Sequence, residues 1–136
     1  MRALSILLLV PVLSACSTTR GVADYRAGRT PQTVCVDRAF DVVAERVKAG
    51  VEACWGEGHI GADTIDVFVE PLPGGVSYVM RHSQAHTVLF LYEVTRSEVA
   101  TCPVVISVYP GSPLWGDAAG RARDYVDGRR EKICRD

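Results

Sequence analysis

Five cysteines are the residues of this 136-residue chain with the most evident chemistry. Cys35, Cys54, Cys102 and Cys134 lie far apart, and Cys16 follows an apolar run near the N-terminus. No two cysteines lie within four residues of each other, so the spacing does not fit a zinc motif. In an exported chain, the four later cysteines are expected to form two disulfides. Cys16 is then the odd cysteine, with a different role.

Two histidines that flank a three-residue turn are the candidate metal ligands. His82 and His86 would be cross-strand neighbours if that turn joins two strands. A metal site needs at least a third ligand, and only His59 or Glu57 could supply one through folding. We predict no metal and no cofactor held by the domain, and we keep a metal or ligand site at the His82/His86 hairpin as the alternative.

Two other motifs have structural explanations. The stretch from Gly56 to Gly61 matches G-x-G-x-x-G, but a dinucleotide-binding loop must follow a strand and open a helix. Here a predicted helix precedes it and a predicted strand follows, which indicates a connector. The sequence around Ser112 lacks the second glycine of a nucleophile elbow. We therefore predict no catalytic residue and do not expect an enzyme.

Residues 1–15 have the three parts of a secretory leader: a positive charge at Arg2, an apolar core, and the small residues Ser14 and Ala15 before a cut. The core is shorter than the roughly 20 residues of a membrane-spanning helix. The residues at the cut, LSAC, resemble the lipobox of bacterial lipoproteins.

The resemblance implies that a peptidase cuts before Cys16, whose sulfur then carries a diacylglycerol and whose new amino group carries an acyl chain such as palmitate. Several acyl chains together make a firm membrane anchor. In the family, Ser17 in place of aspartate implies sorting to the outer membrane. We accordingly expect an outer-membrane lipoprotein that faces the periplasm, with residues 16–32 as a flexible tether. The alternative is that part of this tether, around Tyr25, packs on the domain.

Composition predicts one domain and excludes a nucleic-acid partner. The chain has 15 Lys and Arg against 16 Asp and Glu, a formal net charge of −1, and it loses Arg2 with the leader. No basic stripe of the kind that binds nucleic acid is present. Residues 33–136 are long enough for a single domain with one hydrophobic core.

A strong amphipathic helix is predicted over residues 37–53. Asp37 is its predicted N-cap, and Asp41 lies in its first turn, where the helix dipole favours a negative charge. Its apolar residues recur at steps of three and four: Val36, Phe40, Val43, Val47, Val51 and Cys54.

Strands and a second helix complete the predicted architecture. Residues 33–36 could form a short first strand, and four strands are predicted at 64–70, 76–81, 87–95 and 103–109. The strand at 87–95 is apolar on both faces, as expected of a central strand. A last helix is predicted to start at Ser112-Pro113 and to end at Asp127-Gly128.

The order β-α-β-β-β-β-α predicts an α+β fold, with an antiparallel meander sheet of four to five strands packed by two helices and stabilised by disulfides. This element order resembles the helix-grip modules of BamC-type lipoproteins, which belong to the machine that assembles outer-membrane β-barrels. The resemblance covers about residues 33–130.

The predicted helix restricts the disulfide pairing. It would hold Cys35 and Cys54 about 25 Å apart, beyond the roughly 7 Å that a disulfide tolerates between Cα atoms. If each element reverses direction, Cys35 and Cys102 lie at the same end of the domain. We predict Cys35–Cys102 and Cys54–Cys134. The second pair requires the last helix to stop at Gly128.

For function, these observations predict a lipid-anchored envelope protein that binds a protein partner or assists envelope assembly. The metal or ligand site at the hairpin and a passive structural role remain as alternatives.

Overall fold

The computed structural model describes residues 21–55, 65–111 and 116–129. These residues form an α+β fold, as predicted, with a five-stranded antiparallel sheet. The elements in chain order are α1 (Val22–Ala27), β1 (Gln32–Val36), α2 (Phe40–Trp55), β2 (Ile65–Leu72), β3 (Gly75–His82), β4 (Val88–Arg96), β5 (Val104–Tyr109) and α3 (Ala118–Val126).

The strands lie in the order β1-β5-β4-β3-β2, and every neighbouring pair is antiparallel. The four strands after α2 form the predicted meander. The short first strand considered at residues 33–36 is confirmed as β1, which pairs with β5. β4 is the central strand, which explains why its sequence is apolar on both faces. β1 and β2 are the two edges of the sheet.

Helices α2 and α3 cover one face of the sheet, called the inner face below. Val43, Val47 and Val51 of α2 are fully buried in the main core with Met80 and Phe90 of the sheet. Burying each such side chain contributes about 1.5–3 kcal/mol. The opposite, outer face has a smaller core, in which α1 contributes Tyr25.

The first long helix begins later than predicted. α2 starts at Phe40, and the first intrahelical bond runs from the N–H of Val43 to the carbonyl of Ala39. Asp37 is therefore not the N-cap, because it directly follows the end of β1 at Val36 and lies three residues before the start of α2. Asp41 does lie in the first turn, as predicted.

The start predicted for the last helix is wrong. Ser112 and Pro113 lie outside the described residues, and α3 begins only at Ala118. Asp117 is its N-cap, with its carboxylate accepting the N–H of Gly120 at 2.7 Å. A short acidic side chain three residues before a backbone N–H in the first turn serves the cap as well as serine would.

The predicted end of the last helix at Asp127-Gly128 is confirmed. Gly128 has φ +75°, a left-handed conformation that glycine adopts without strain. Its N–H reaches the carbonyl of Tyr125 at 3.1 Å, and the N–H of Arg129 reaches that of Asp124 at 3.0 Å. This pair of bonds is the Schellman arrangement that closes helix C-termini.

The predicted tether is wrong over its described part. Residues 21–32 are folded: α1 spans Val22–Ala27, Tyr25 is buried, and β1 already begins at Gln32. The alternative, that the segment around Tyr25 packs on the domain, is the correct one. The folded domain therefore includes Gly21 rather than starting at residue 33, while residues 16–20 lie outside the described residues.

The connection between the strands predicted at 64–70 and 76–81 is shorter than expected. β2 continues to Leu72, so Pro71 belongs to a strand and pairs in register with Val76. Proline is tolerated there because β2 is an edge strand, where one side of the backbone makes no ladder bonds.

Candidate functional site

One predicted disulfide is present. Cys35 and Cys102 are bonded, with their Cα atoms 5.4 Å apart and 67 residues apart in sequence. The bond joins β1 to the loop that leads into β5, at the end of the sheet where α2 begins. Cys54 is also disulfide-bonded. Its predicted partner Cys134 lies outside the described residues, so that pairing stays a prediction, as does the lipid on Cys16.

The two hairpin histidines form hydrogen bonds within the turn that they flank. The imidazole Nδ1 of His82 accepts the backbone N–H groups of Gln84 and Ala85 at 3.3 and 3.1 Å. The N–H of His86 donates to the carbonyl of His82 at 2.8 Å, and His86 is exposed. Within residues 21–55, 65–111 and 116–129, no group of three His, Cys, Asp or Glu could hold a metal. The Gly56–Gly61 stretch, with His59 and Glu57, lies outside these ranges.

On the outer face, α1 is fixed to the sheet through two side chains. The hydroxyl of Tyr25 lies 2.7 Å from the carbonyl of Leu89 and 3.2 Å from that of Tyr109. The guanidinium of Arg26 binds the carboxylate of Glu93, through Nε at 2.8 Å and also through Nη2. Glu93 is only 8% exposed, so Arg26 supplies the partner that a buried charge requires.

Arg29 completes this contact. Its guanidinium lies over the Tyr25 ring, 3.6 Å from the centroid, and its Nε donates to the carbonyl of Pro110 at 3.2 Å. Burial raises the pKa of the Tyr25 hydroxyl, and the Arg29 cation partly offsets that rise. Burial also raises the pKa of Tyr109, with Glu93 adding to the effect. Tyr109 is buried and belongs to the smaller core on the outer face.

A cleft of about 420 Å³ lies at the end of the sheet where α2 ends. Trp55, Ile65 and Phe90 line it together with Arg29. Arg29 is already committed to Tyr25 and to the carbonyl of Pro110, so the cleft offers mainly apolar walls. Nothing in its lining identifies a ligand.

The β2 edge carries two of the exposed large apolar side chains of the described chain. Phe68 is 42% exposed and Val69 is 52% exposed, on opposite faces of the same strand. Phe68 lies on the outer face, opposite Val79 of β3, and Val69 lies opposite Tyr78 on the inner face. In the part of the chain that the structure describes, no strand pairs with the other side of β2.

Charged side chains flank Phe68 on the outer face. Asp66 and Glu70 lie two residues to either side of it along β2. Arg81 on β3 binds Glu70, with Nη2 to Oε1 at 2.9 Å, and its guanidinium lies 5.2 Å from the Phe68 ring centroid. Asp66 is exposed and forms no ion pair within the described residues. The edge therefore presents an acidic-aromatic-acidic row.

The sequence contains only weak signals for the packing of α1 and for the β2 edge. The three-residue step from Val22 to Tyr25 indicated a helical turn, although six residues are too few for a periodicity. In the predicted strand at 64–70, the alternation of Ile65, Val67 and Val69 indicates a shared face. Its edge position could not be predicted, because strand order depends on the whole sheet.

Comparison with protein-family models, with curated proteins and with solved structures finds no match for this chain. The resemblances to the lipobox and to BamC-type modules therefore stay expectations from the sequence. No helix in the described ranges is both long enough and apolar enough to cross a membrane.

Proposed function

We propose that this chain is a lipid-anchored protein of the bacterial outer membrane, facing the periplasm, and that its domain binds a protein partner along the β2 edge. The anchor rests on the LSAC sequence and on the odd number of cysteines. Only four residues lie between Cys16 and Gly21, the first residue that the structure describes. At roughly 3.3–3.6 Å per residue, the five steps from Cys16 to Gly21 span at most about 18 Å, so an anchor at Cys16 would keep the domain close to the lipid.

The observation that carries the binding proposal is the β2 edge, with which no further strand pairs in residues 21–55, 65–111 and 116–129. Its backbone N–H and C=O groups can pair with an added strand, and its exposed Phe68 and Val69 can pack against side chains of that strand. Natural proteins usually keep an edge strand short or cover it. An eight-residue edge with two large apolar side chains exposed supports binding at this place.

Site-specific photo-crosslinking in intact cells tests the proposal. A photo-crosslinking residue in place of Val69 should capture the same protein in repeated experiments. Val42 gives the matched control, because it is a valine of similar exposure, 41%, on the surface of α2. We expect capture from position 69 and not from position 42. Equal capture from both positions, or none from position 69, would contradict binding at the β2 edge.

A further inference from the structure

The alternation of β2 determines what an added strand would meet. Its outer-face row is Asp66, Phe68 and Glu70, while Val67 and Val69 point to the inner face. Directly opposite residues of an antiparallel pair share a face and lie about 4.5–5.5 Å apart at their Cβ atoms. A strand added to this edge would thus place alternate side chains beside two carboxylates on one face and beside two valines on the other.

The same charges disfavour a second copy of the chain as the added strand. In a two-fold pairing centred on Phe68, Asp66 of each copy lies opposite Glu70 of the other, and like charges directly opposite are destabilising. Shifting the centre to Val69 instead sets Asp66 against Leu72 and Glu70 against Phe68. Both of these registers, which pair the greatest length of β2, leave carboxylates without a suitable neighbour.

Pro71 limits where the added strand can pair. It has no N–H to donate, so a continuous ladder along the edge is confined to Ile65–Glu70. This stretch contains both carboxylates and both exposed apolar side chains. The pairing segment needs about five or six residues, which is an ordinary strand length.

Resting on the proposed protein-binding function, we propose that β2 takes an antiparallel extended segment in which basic and apolar residues alternate. Lysine or arginine lies opposite Asp66 and opposite Glu70, with an apolar residue between them against Phe68. β-Branched residues lie opposite Val67 and Val69. Asp66 has no competing ion pair within the described residues, whereas Glu70 shares its carboxylate with Arg81. The cation opposite Asp66 therefore contributes more to affinity.

A synthetic peptide tests this partner chemistry. The probe is a fluorescein-labelled peptide with the core Lys-Val-Phe-Val-Lys, titrated with the full chain in detergent and followed by fluorescence anisotropy. Its control replaces both lysines by glutamate. We expect the lysine peptide to bind and to slow hydrogen exchange of the amides in β2, and the glutamate peptide to bind at least about tenfold more weakly. Equal affinity of the two peptides would overturn the proposal.

Matched protein variants separate a specific contact from general attraction. Asp66→Lys should weaken binding of the lysine peptide by about fivefold or more, because an attraction becomes a repulsion. Glu45→Lys changes the net charge equally at an exposed position on α2 and should leave the affinity within about twofold. Equal losses in the two variants would overturn the proposed contact.

The result also distinguishes this inference from the proposed function. If position 69 captures a partner in cells but the lysine peptide does not bind, the partner chemistry is wrong and protein binding stands. If position 69 captures nothing and the peptide does not bind, both are wrong.

Discussion

Helices α2 and α3 pack closely at Gly50, and Gly50→Ala tests this contact. Gly50 is buried in α2, and its Cα faces the ring of Tyr125. A Cβ added at position 50 would lie 2.9 Å from the Cβ of Tyr125 and closer still to its ring. Tyr125 is 1% exposed, and its ring lies 5.9 Å from that of Tyr92. The ring therefore has little space into which to move.

Two opposing effects determine the magnitude. Alanine is favoured over glycine in a helix interior by about 1 kcal/mol. Overpacking a close-packed core costs about 1–3 kcal/mol, and sometimes more. Because the added carbon meets an immobile ring, we expect a cost at the upper end of that range. Gly50→Ala should then lower the free energy of unfolding by about 1–2 kcal/mol.

Urea unfolding of the oxidised protein measures this change. Ala53→Gly calibrates the helix propensity at an exposed position of the same helix, and should cost about 1 kcal/mol. In a double-mutant cycle, Tyr125→Leu should remove most of the penalty of Gly50→Ala, because the two residues are in contact. If Gly50→Ala stabilises the protein by about the propensity difference, the close approach of α2 and α3 is wrong.

Three further predictions concern the outer face, the disulfide and the pH dependence. Tyr25→Phe should lower the free energy of unfolding by about 1–3 kcal/mol, because it leaves buried carbonyls unpaired; an unchanged urea midpoint would show that α1 does not need this contact. Replacing Cys35 and Cys102 together by serine should cost about 4 kcal/mol for a 67-residue separation, and a loss below 1 kcal/mol in the same assay would contradict this. Burial, with a smaller effect from Glu52, raises the pKa of Tyr78 from 10.0 to about 12. The unfolded chain then loses this proton first, so stability should fall between pH 10 and 12. Tyr78→Phe should make that fall shallower, and an identical pH profile would refute the assignment.

Regular elements were predictable from the sequence because their signals are local and repeated. The three- and four-residue steps from Phe40 to Val51 predicted α2, and the apolar run around Leu91 predicted the central strand. The Cys35–Cys102 bond followed from the length of the predicted helix together with chain reversal. Each of these inferences uses a pattern that extends over a whole element.

The wrong predictions concern the start of α3 and the packing of α1, where one or two residues determine the local structure. Ser112-Pro113 resembles a helix start, yet Asp117 is the residue that caps α3. α1 has only six residues, so its packing depends on the tertiary contacts of Tyr25 and Arg26 rather than on periodicity. A short helix is marginal in isolation, and the sheet that stabilises it is built from residues far along the chain.

The candidate site was harder to predict than the fold. The acidic-aromatic-acidic row of Asp66, Phe68 and Glu70 is visible in the sequence, but it also suits the exposed face of any strand. Its interest comes from the position of β2 at the edge of the sheet. That position follows from the strand order, which no local pattern encodes.

The proposed function depends first on the lipid at Cys16, and intact-mass analysis of the chain recovered from the envelope fraction tests it most directly. The account predicts a mature chain that begins at Cys16 and carries the mass of a diacylglycerol and one amide-linked acyl chain. It also predicts that Cys16→Ser abolishes both the modification and lipoprotein-type processing. An unmodified chain, or a Cys16→Ser chain that still incorporates labelled palmitate, would contradict the account.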